Sequence, residues 1–357
     1  MNEDIIVIGG GIAGLSAAAR LSADAKVTVL EMESATGYHA SGRSAALIEE
    51  NYGAPSVQAL NKASMAHFRD GGYLTQRGLL IVAQKGDKEA FEADVSHMGV
   101  DRITPDEARA LVPILAKDRV DMAAYHAEAF DIDTDRLMQD FIRVLRGNGG
   151  QVITDAVVTA IRQDAHGWHV SAGAQYSAPT LVNAAGAWAD LVAGIAGLTP
   201  LGLIPHRRSM ARLPAPGGHD TTRWPMFFGV SESWYAKPDA GALLVSPAEE
   251  AATYPHDAFA DDMTLAEGLD RYQQMVTPEV TRPLATWGGL RTFAPDRTLV
   301  LGRDPHAPEF VWCAGQGGYG FQTSPAASAL LADLVMGRTQ HLDESAVAAL
   351  RPDRLRA

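Results

Sequence analysis

The chain has 357 residues and one cysteine, Cys313, so no internal disulfide can form and the composition fits a reducing compartment. Basic residues are in the minority: 30 Lys and Arg stand against 43 Asp and Glu, a formal net charge of −13. That balance argues against nucleic acid or an anionic membrane surface as the main partner. It does not choose a substrate, because whole-chain charge says little about one pocket. No uninterrupted apolar run reaches the ~18 residues of a membrane-spanning helix. The apolar run near the N-terminus is strand-length, lacks a basic flank and breaks at glycines, unlike a secretory signal. These absences predict a soluble, cytoplasmic protein with no membrane span. No repeat or low-complexity tract is visible, and no metal site is expected.

What is present is an ordinary globular composition, 46% hydrophobic and 20% charged, in a chain long enough for two domains. The strongest local signal runs from Asp4-Ile5-Ile6-Val7-Ile8 through Gly9-Gly10-Gly11-Ile12-Ala13-Gly14 to Val27-Thr28-Val29-Leu30-Glu31. It reads as buried strand, glycine turn, helix, second strand and acidic residue, the full context of a dinucleotide fingerprint. Gly9 allows the tight turn, Gly11 lets backbone approach a pyrophosphate, and Gly14 lets the helix pack closely on the sheet. The helix N-terminus, with Ile12 and Ala13 in its first turn, offers free N–H groups to phosphates. Glu31 can accept from a ribose diol, and its charge repels a 2′-phosphate. Met32 follows it.

Further along, a polar loop spans Gly37 to Ala45. A helix is expected near Ser56–Phe68, then a strand over Gly78–Ala83. Thr104-Pro105-Asp106-Glu107 has the form of a capped helix start. Asp131-Ile132-Asp133-Thr134-Asp135 precedes a helix over Arg136–Leu145. Strands are expected at Gln151–Thr154, Trp168–Ser171, Thr180–Asn183 and Phe310–Ala314. Ser324-Pro325 reads as the start of the last long helix. Residues from about 205 to 290 are richer in Pro, aromatics and short β-like runs. The expected architecture is α/β: a Rossmann-like nucleotide-binding domain built from 1–70, 135–204 and 288–357, with a β-rich substrate-binding domain from 71–134 and 205–287 inserted between its pieces.

Two further glycine turns favour FAD over NAD. Gly42-Arg43-Ser44-Ala45 lies just past the ribose-binding acid, where Arg43 and Ser44 can donate to the pyrophosphate. Gly315-Gln316-Gly317-Gly318-Tyr319-Gly320 opens the last helical segment, where its backbone N–H groups can meet the carbonyl edge of a flavin. Both could also be plain loop glycines.

Several segments together resemble the D-amino-acid oxidase-like flavoproteins, which share the glutathione-reductase-type FAD fold, and within them the bacterial FAD-dependent D-arginine dehydrogenases. They are Gly37-Tyr38-His39 through Ala46, Asp131–Asp135, Leu181–Trp188, Arg207-Arg208-Ser209, Tyr235–Gly241, Trp287–Arg291 and Gln316–Ser324. The resemblance covers nearly the whole chain. It implies non-covalent FAD, held by Gly9, Gly11, Ile12, Ala13, Gly14, Glu31, Met32, Gly42, Arg43, Ser44, Ala45, Val158, Ala185, Gly186, Trp188, Gly289, Arg291, Gly317, Gly318, Tyr319, Gly320 and Gln322. It also implies that Arg291 pairs with a substrate carboxylate, a task suited to a planar guanidinium. Tyr235 would add a hydroxyl to the same carboxylate. Arg208 would line the substrate side, Tyr52 a mobile loop over it, and the Gly318 carbonyl would accept from the substrate amine. On their own these residues have plainer uses: Arg291 a salt bridge, Arg208 an interdomain contact, Tyr235 strand packing.

The implied reaction is oxidative deamination of a D-amino acid to the 2-oxo acid and ammonia, with hydride transfer from Cα to flavin N5. Electrons would then pass to a quinone, a dye or oxygen. A sarcosine- or glycine-type amine oxidase and a 2-hydroxy-acid dehydrogenase remain as alternatives on the same fold. No His or Asp identifies itself as the active-site base. Two departures bear on specificity: Leu47 stands where the dehydrogenases carry a His, and Leu79 at or next to the Glu that meets the substrate guanidinium. D-arginine and D-lysine are therefore expected to be poor substrates, with Glu49 and Glu50 as possible partial replacements for the missing acid. Cys313, just before the last glycine turn, is expected to be a small core residue.

Overall fold

The computed structural model describes residues 3–356. The strand Ile5–Ile8 is buried at every position and lies between Thr180–Asn183 and Val27–Leu30. Both neighbours are parallel to it, with Ile8 opposite Asn183 on one side and Leu30 on the other. A central parallel strand is covered on both faces, which explains its unbroken Ile/Val run. The six-stranded sheet continues through Gln151–Ile153 at one edge and through Phe310–Ala314 to antiparallel Val300–Arg303 at the other.

Helices Ile12–Leu21 and Gly320–Met336 cover one face, contributing Ala17, Leu21, Ala327 and Leu331 to a core with Val7 and Val29. A three-stranded antiparallel sheet, Ala160–Asp164, Gly167–Ala172 and Ala174–Ala178, covers the other. Its alternating Trp168 and Val170 meet Ile6, Ile8 and Leu181. The glycine turn obeys the sterics expected of it. Gly9 has φ +109°, and a Cβ there would lie 2.4 Å from the Ala184 carbonyl oxygen. A Cβ on Gly14 would lie 1.9 Å from the Gly9 oxygen, so helix and strand touch backbone to backbone.

The capped starts divide. Thr104 Oγ1 accepts from Glu107 N and the Glu107 carboxylate accepts from Thr104 N, a complete capping box. Asp133 caps Thr134–Gly147 by accepting from Arg136 N. Ser324-Pro325, however, does not begin a helix: the helix starts at Gly320 and runs through Pro325. The proline removes the N–H that would reach Phe321 O, and Ser324 Oγ donates to that oxygen instead at 2.9 Å. Ser64 Oγ, from helix Pro55–Gly71, accepts from Ala326 N one residue further on.

A second, nine-stranded sheet is largely antiparallel. Ile204–Pro214 pairs with Ala285–Phe293 along its length and with Ala242–Ser246; Tyr235–Asp239, Met226–Gly229, Leu79–Ala83 and Met122–His126 follow in order. Period-2 alternation sends Ala211, Leu213, Phe227, Ala236 and Val245 to a core under the helix Asp262–Gln273, with Trp234 and Tyr272. The opposite face therefore carries Arg208, Met210, Tyr235, Phe228, Met226 and Leu79 in register, and Arg291 two residues from Gly289, the partner of Arg208. Among the described residues no helix is long and apolar enough to cross a membrane.

Candidate functional site

A continuous cavity of about 520 Å³ runs from the carboxyl ends of the parallel strands to this opposite face. Crevices at that edge of a parallel sheet are where dinucleotides bind. Gly9, Gly11, Ile12, Ala13, Glu31, Met32, Val158, Ala185, Gly186 and Trp188 line its first half. Glu31 is buried, its carboxylate accepting from Gly10 N at 2.6 Å and Glu33 N at 2.9 Å. Those bonds fix the acid at the strand end and leave lone pairs for a ribose diol. Ser41 Oγ accepts from Ile12 N, one of the orphan donors at the helix start, at 3.0 Å. His39 hydrogen-bonds Glu33 at 2.8 Å, its ring 4.7 Å from that of Trp188.

Ser44, Ala45, Gly289, Gly317, Gly318, Gly320 and Gln322 line the middle. Gln322 Nε2 and Thr292 Oγ1 are buried there without a hydrogen-bond partner. Orphaned donors in a cavity edged by glycine backbone fit a large polar cofactor, since such groups are costly to bury unpaired.

Some expected cofactor residues sit elsewhere. Arg43 edges the cavity, but its guanidinium is committed: it donates to the carbonyls of Tyr38, Ala258 and Gly288 and pairs with Asp257 at 2.5 Å. It anchors the glycine loop rather than offering its side chain to a phosphate. Ser44 Oγ likewise accepts from Ala46 N. Gly42 and Gly14 serve close packing, a Gly42 Cβ falling 2.5 Å from Gly37 O, and neither lines the cavity. Tyr319 is a core residue, ring against ring with Tyr52 at 5.6 Å and Phe293 at 6.2 Å. Cys313 is buried behind the helix start, its thiol directed at Ala13 O, and burial pushes its pKa up to about 12.

The far end gathers Arg291, Arg208, Tyr235 and Tyr52 as cavity-lining residues. Arg291 lies flat against Gly318, where a Cβ would sit 1.9 Å from Arg291 Nη2. Burial opposes the charge on Arg291, and the facing Tyr52, Glu232, Glu250 and Tyr235 outweigh it and raise its pKa. Arg291 Nη1 and Arg208 Nη2 share Glu250 Oε1 at 3.2 and 3.3 Å, while Arg297 takes Oε2 at 2.7 Å. Arg208 Nε also donates to Glu249 O. Three guanidiniums on one carboxylate leave this end electropositive. Tyr235 stacks beneath Arg208 at 5.9 Å and donates to Met210 Sδ at 3.1 Å. The Tyr52 hydroxyl is buried and its pKa raised, first by desolvation and then by Glu232.

Ser41 and Glu232 line the cavity and went unassigned in the sequence. Lys237 does not line the cavity but donates to Ala45 O at 2.5 Å and pairs with Asp131 at 2.8 Å, bracing the glycine loop. Glu232 sits in a left-handed turn with φ 50° after Ser231 at φ 55°, a backbone state that costs non-glycine residues energy. No local motif announces it. Among the described residues no His, Cys, Asp and Glu cluster is arranged to hold a metal ion.

A dinucleotide crevice opening onto an arginine-lined sheet defines a cofactor-dependent enzyme. The chain belongs to the DAO family of FAD dependent oxidoreductases, whose sequence model matches residues 4–334. It is 26% identical over 211 residues to the uncharacterized oxidoreductase YurR of Bacillus subtilis, covering 57% of this chain and 52% of that one. It is 26% identical over 231 residues to L-2-hydroxyglutarate dehydrogenase of Escherichia coli K12, covering 59% and 54%. The chain thus matches about half the length of these curated relatives. In fold it is similar to glycine oxidase from Geobacillus kaustophilus, at TM-score 0.82 and 22% identity over 98% of this chain and 99% of that one. Its cofactor is FAD.

Proposed function

We propose that the protein oxidises the amine-bearing carbon of a D-amino acid, giving the 2-oxo acid and ammonia. The observation that carries this is the convergence of Arg291, Arg208 and Tyr235 on one sheet face where the cavity ends. A guanidinium pair that Glu250 neutralises only in part is suited to a carboxylate. The Gly315–Gly320 turn, Gln322, Glu31 and the Ile12 helix start would hold the cofactor without a covalent bond, since the Cys313 thiol is buried in the core. FAD, when bound, supplies the two-electron acceptor for the hydrogen leaving Cα.

The protein's own residues do the rest. Arg291 and Arg208 fix the carboxylate and so decide which face of Cα is presented. The Tyr235 hydroxyl, turned from the weak acceptor Met210 Sδ, would donate its O–H to the same carboxylate. The Gly318 carbonyl accepts from the substrate amine, and Tyr52, packed against the Tyr319 ring, lines that end of the cavity. The D configuration rests on the likeness of the Tyr235–Gly241 and Trp287–Arg291 segments to D-amino-acid dehydrogenases. Leu79, which lines the cavity, argues against the flat cationic head of D-arginine. The single cysteine, buried as a free thiol, is in keeping with a cytoplasmic enzyme, and a quinone, a dye or oxygen would take the electrons. A second reading, oxidation of a 2-hydroxy acid, is favoured by the likeness to L-2-hydroxyglutarate dehydrogenase, since the same arginines would hold its carboxylate.

Anaerobic bleaching of the flavin by a panel of D- and L-amino acids, N-methyl amino acids and 2-hydroxy acids tests the proposal. Reduction by D-amino acids alone supports it; reduction only by a hydroxy acid selects the second reading. Arg291→Ala should raise KM at least 100-fold with FAD retained, and an unchanged KM would remove its assigned role.

A further inference from the structure

Glu49 follows the short strand Leu47–Ile48 and lines the cavity, yet it is only 3% exposed. One carboxylate oxygen, Oε2, accepts from Asn51 N at 2.9 Å. The other, Oε1, is buried with no hydrogen-bond partner. The His126 ring nitrogen Nε2 stands 3.7 Å from it, beyond hydrogen-bond reach. His126 faces Leu79 across adjacent strands, so Glu49 sits over the end of the cavity where Leu79 lies. The other lining there is apolar: Leu47, Leu79, Met98, Met226 and Phe228.

The position of this acid is fixed by the chain. Asn61 Nδ2, from a fully buried side chain, is within 3.0–3.4 Å of the carbonyls of Glu49, Glu50 and Tyr52 and pins the loop. A carboxylate oxygen held in an apolar pocket without a partner is expensive unless something bound supplies one. Desolvation accordingly raises the Glu49 pKa.

We infer that Glu49 is a specificity-determining residue: its free oxygen receives a hydrogen-bond donor at the end of the substrate side chain, a primary ammonium foremost. This rests on the amino-acid reading above and narrows it. The favoured substrate is then an amino acid whose side chain is apolar along its stem and ends in a compact N–H donor.

The test uses FAD-bound wild type, Glu49→Gln and Glu49→Leu, with D-lysine and D-norleucine as a matched pair. Binding is read from the perturbation of the flavin spectrum in the absence of turnover, and kcat/KM from anaerobic reduction. Wild type should favour D-lysine, and Glu49→Leu should reverse the ratio by at least tenfold in both readouts. Glu49→Gln, which keeps the shape and an acceptor, should fall between and controls for folding. An unchanged ratio in Glu49→Leu overturns the inference while leaving amino-acid oxidation intact. A changed binding ratio without turnover upholds Glu49 and sinks the proposed reaction. Failure of either ligand to perturb the wild-type spectrum overturns the inference.

Discussion

Replacing Gly318 by alanine moves one side chain a known distance. The added Cβ would stand 1.9 Å from Arg291 Nη2, 2.6 Å from Cζ and 2.8 Å from Nε, whereas ordinary contact begins at 3.4 Å. The Gly318 backbone needs no left-handed geometry, so alanine itself is tolerated there. The guanidinium must therefore retreat by about 1.5 Å to restore normal van der Waals separation. It is the end of a flexible side chain, so the fold should survive. Its hydrogen bond to Glu250 at 3.2 Å and its place over the Phe293 ring, 5.5 Å to the centroid, will not. A misplacement of about 1 Å can cost ~10²-fold in rate, which is ~2.7 kcal/mol of transition-state binding. We expect kcat/KM to fall about 100-fold, mostly through KM, because a carboxylate anchor acts before and during the reaction. The assay is anaerobic flavin reduction with FAD content measured on the same sample. On an Arg291→Ala background the substitution should add little, since the two act through one contact. A kcat/KM within threefold of the parent, with FAD bound, would refute the placement of Arg291.

Gly14→Ala meets backbone rather than a movable side chain, 1.9 Å from Gly9 O. Forcing helix and strand apart should destabilise by about 3 kcal/mol and loosen FAD together, read as a lower thermal midpoint and free FAD on filtration. Cys313, with its pKa pushed up to about 12 and its thiol buried, should react with a disulfide reagent at pH 8 only after unfolding. Rapid labelling of folded protein would contradict that. Glu49 has a folded pKa above its ordinary value of 4.5, so its burial costs nothing below pH 4.5 and costs stability as pH rises through the folded pKa. Glu49→Gln should therefore gain thermal stability relative to wild type between pH 4 and pH 8, and a flat or opposite trend would reverse the sign.

The nucleotide half was legible because its signals are local. Strand, glycine turn and acidic residue lie within residues 4–31, and Gly9, Gly10 and Gly14 answer to contacts inside that unit or with the adjacent Ala184 strand end. The anchoring of Arg43 could not be read from the sequence because its acceptors, Asp257, Ala258 and Gly288, lie over 200 residues away. Nothing in Gly42-Arg43-Ser44 separates an anchor from a phosphate ligand. The last helix was placed late because Ser324-Pro325 mimics a cap; only Ser64 from a distant helix reveals that the proline is tolerated inside. The arginine pair was visible as motifs, but its neutralisation by Glu250 was not, since that residue sits in a featureless loop. Glu49 was noticed as an acid in the loop, yet only the fold reveals that it is buried and half unpartnered.

The Arg43 anchor has a consequence for how this enzyme matures. One guanidinium stitches the glycine loop to a carboxylate and two carbonyls, those of Asp257, Ala258 and Gly288, more than 200 residues further along the chain. Until that late segment is in place, the loop has no anchor, so the nucleotide site cannot be completed by the first part of a nascent chain. The loop that edges the nucleotide crevice is thus tied to the strand Ala285–Phe293 of the second sheet.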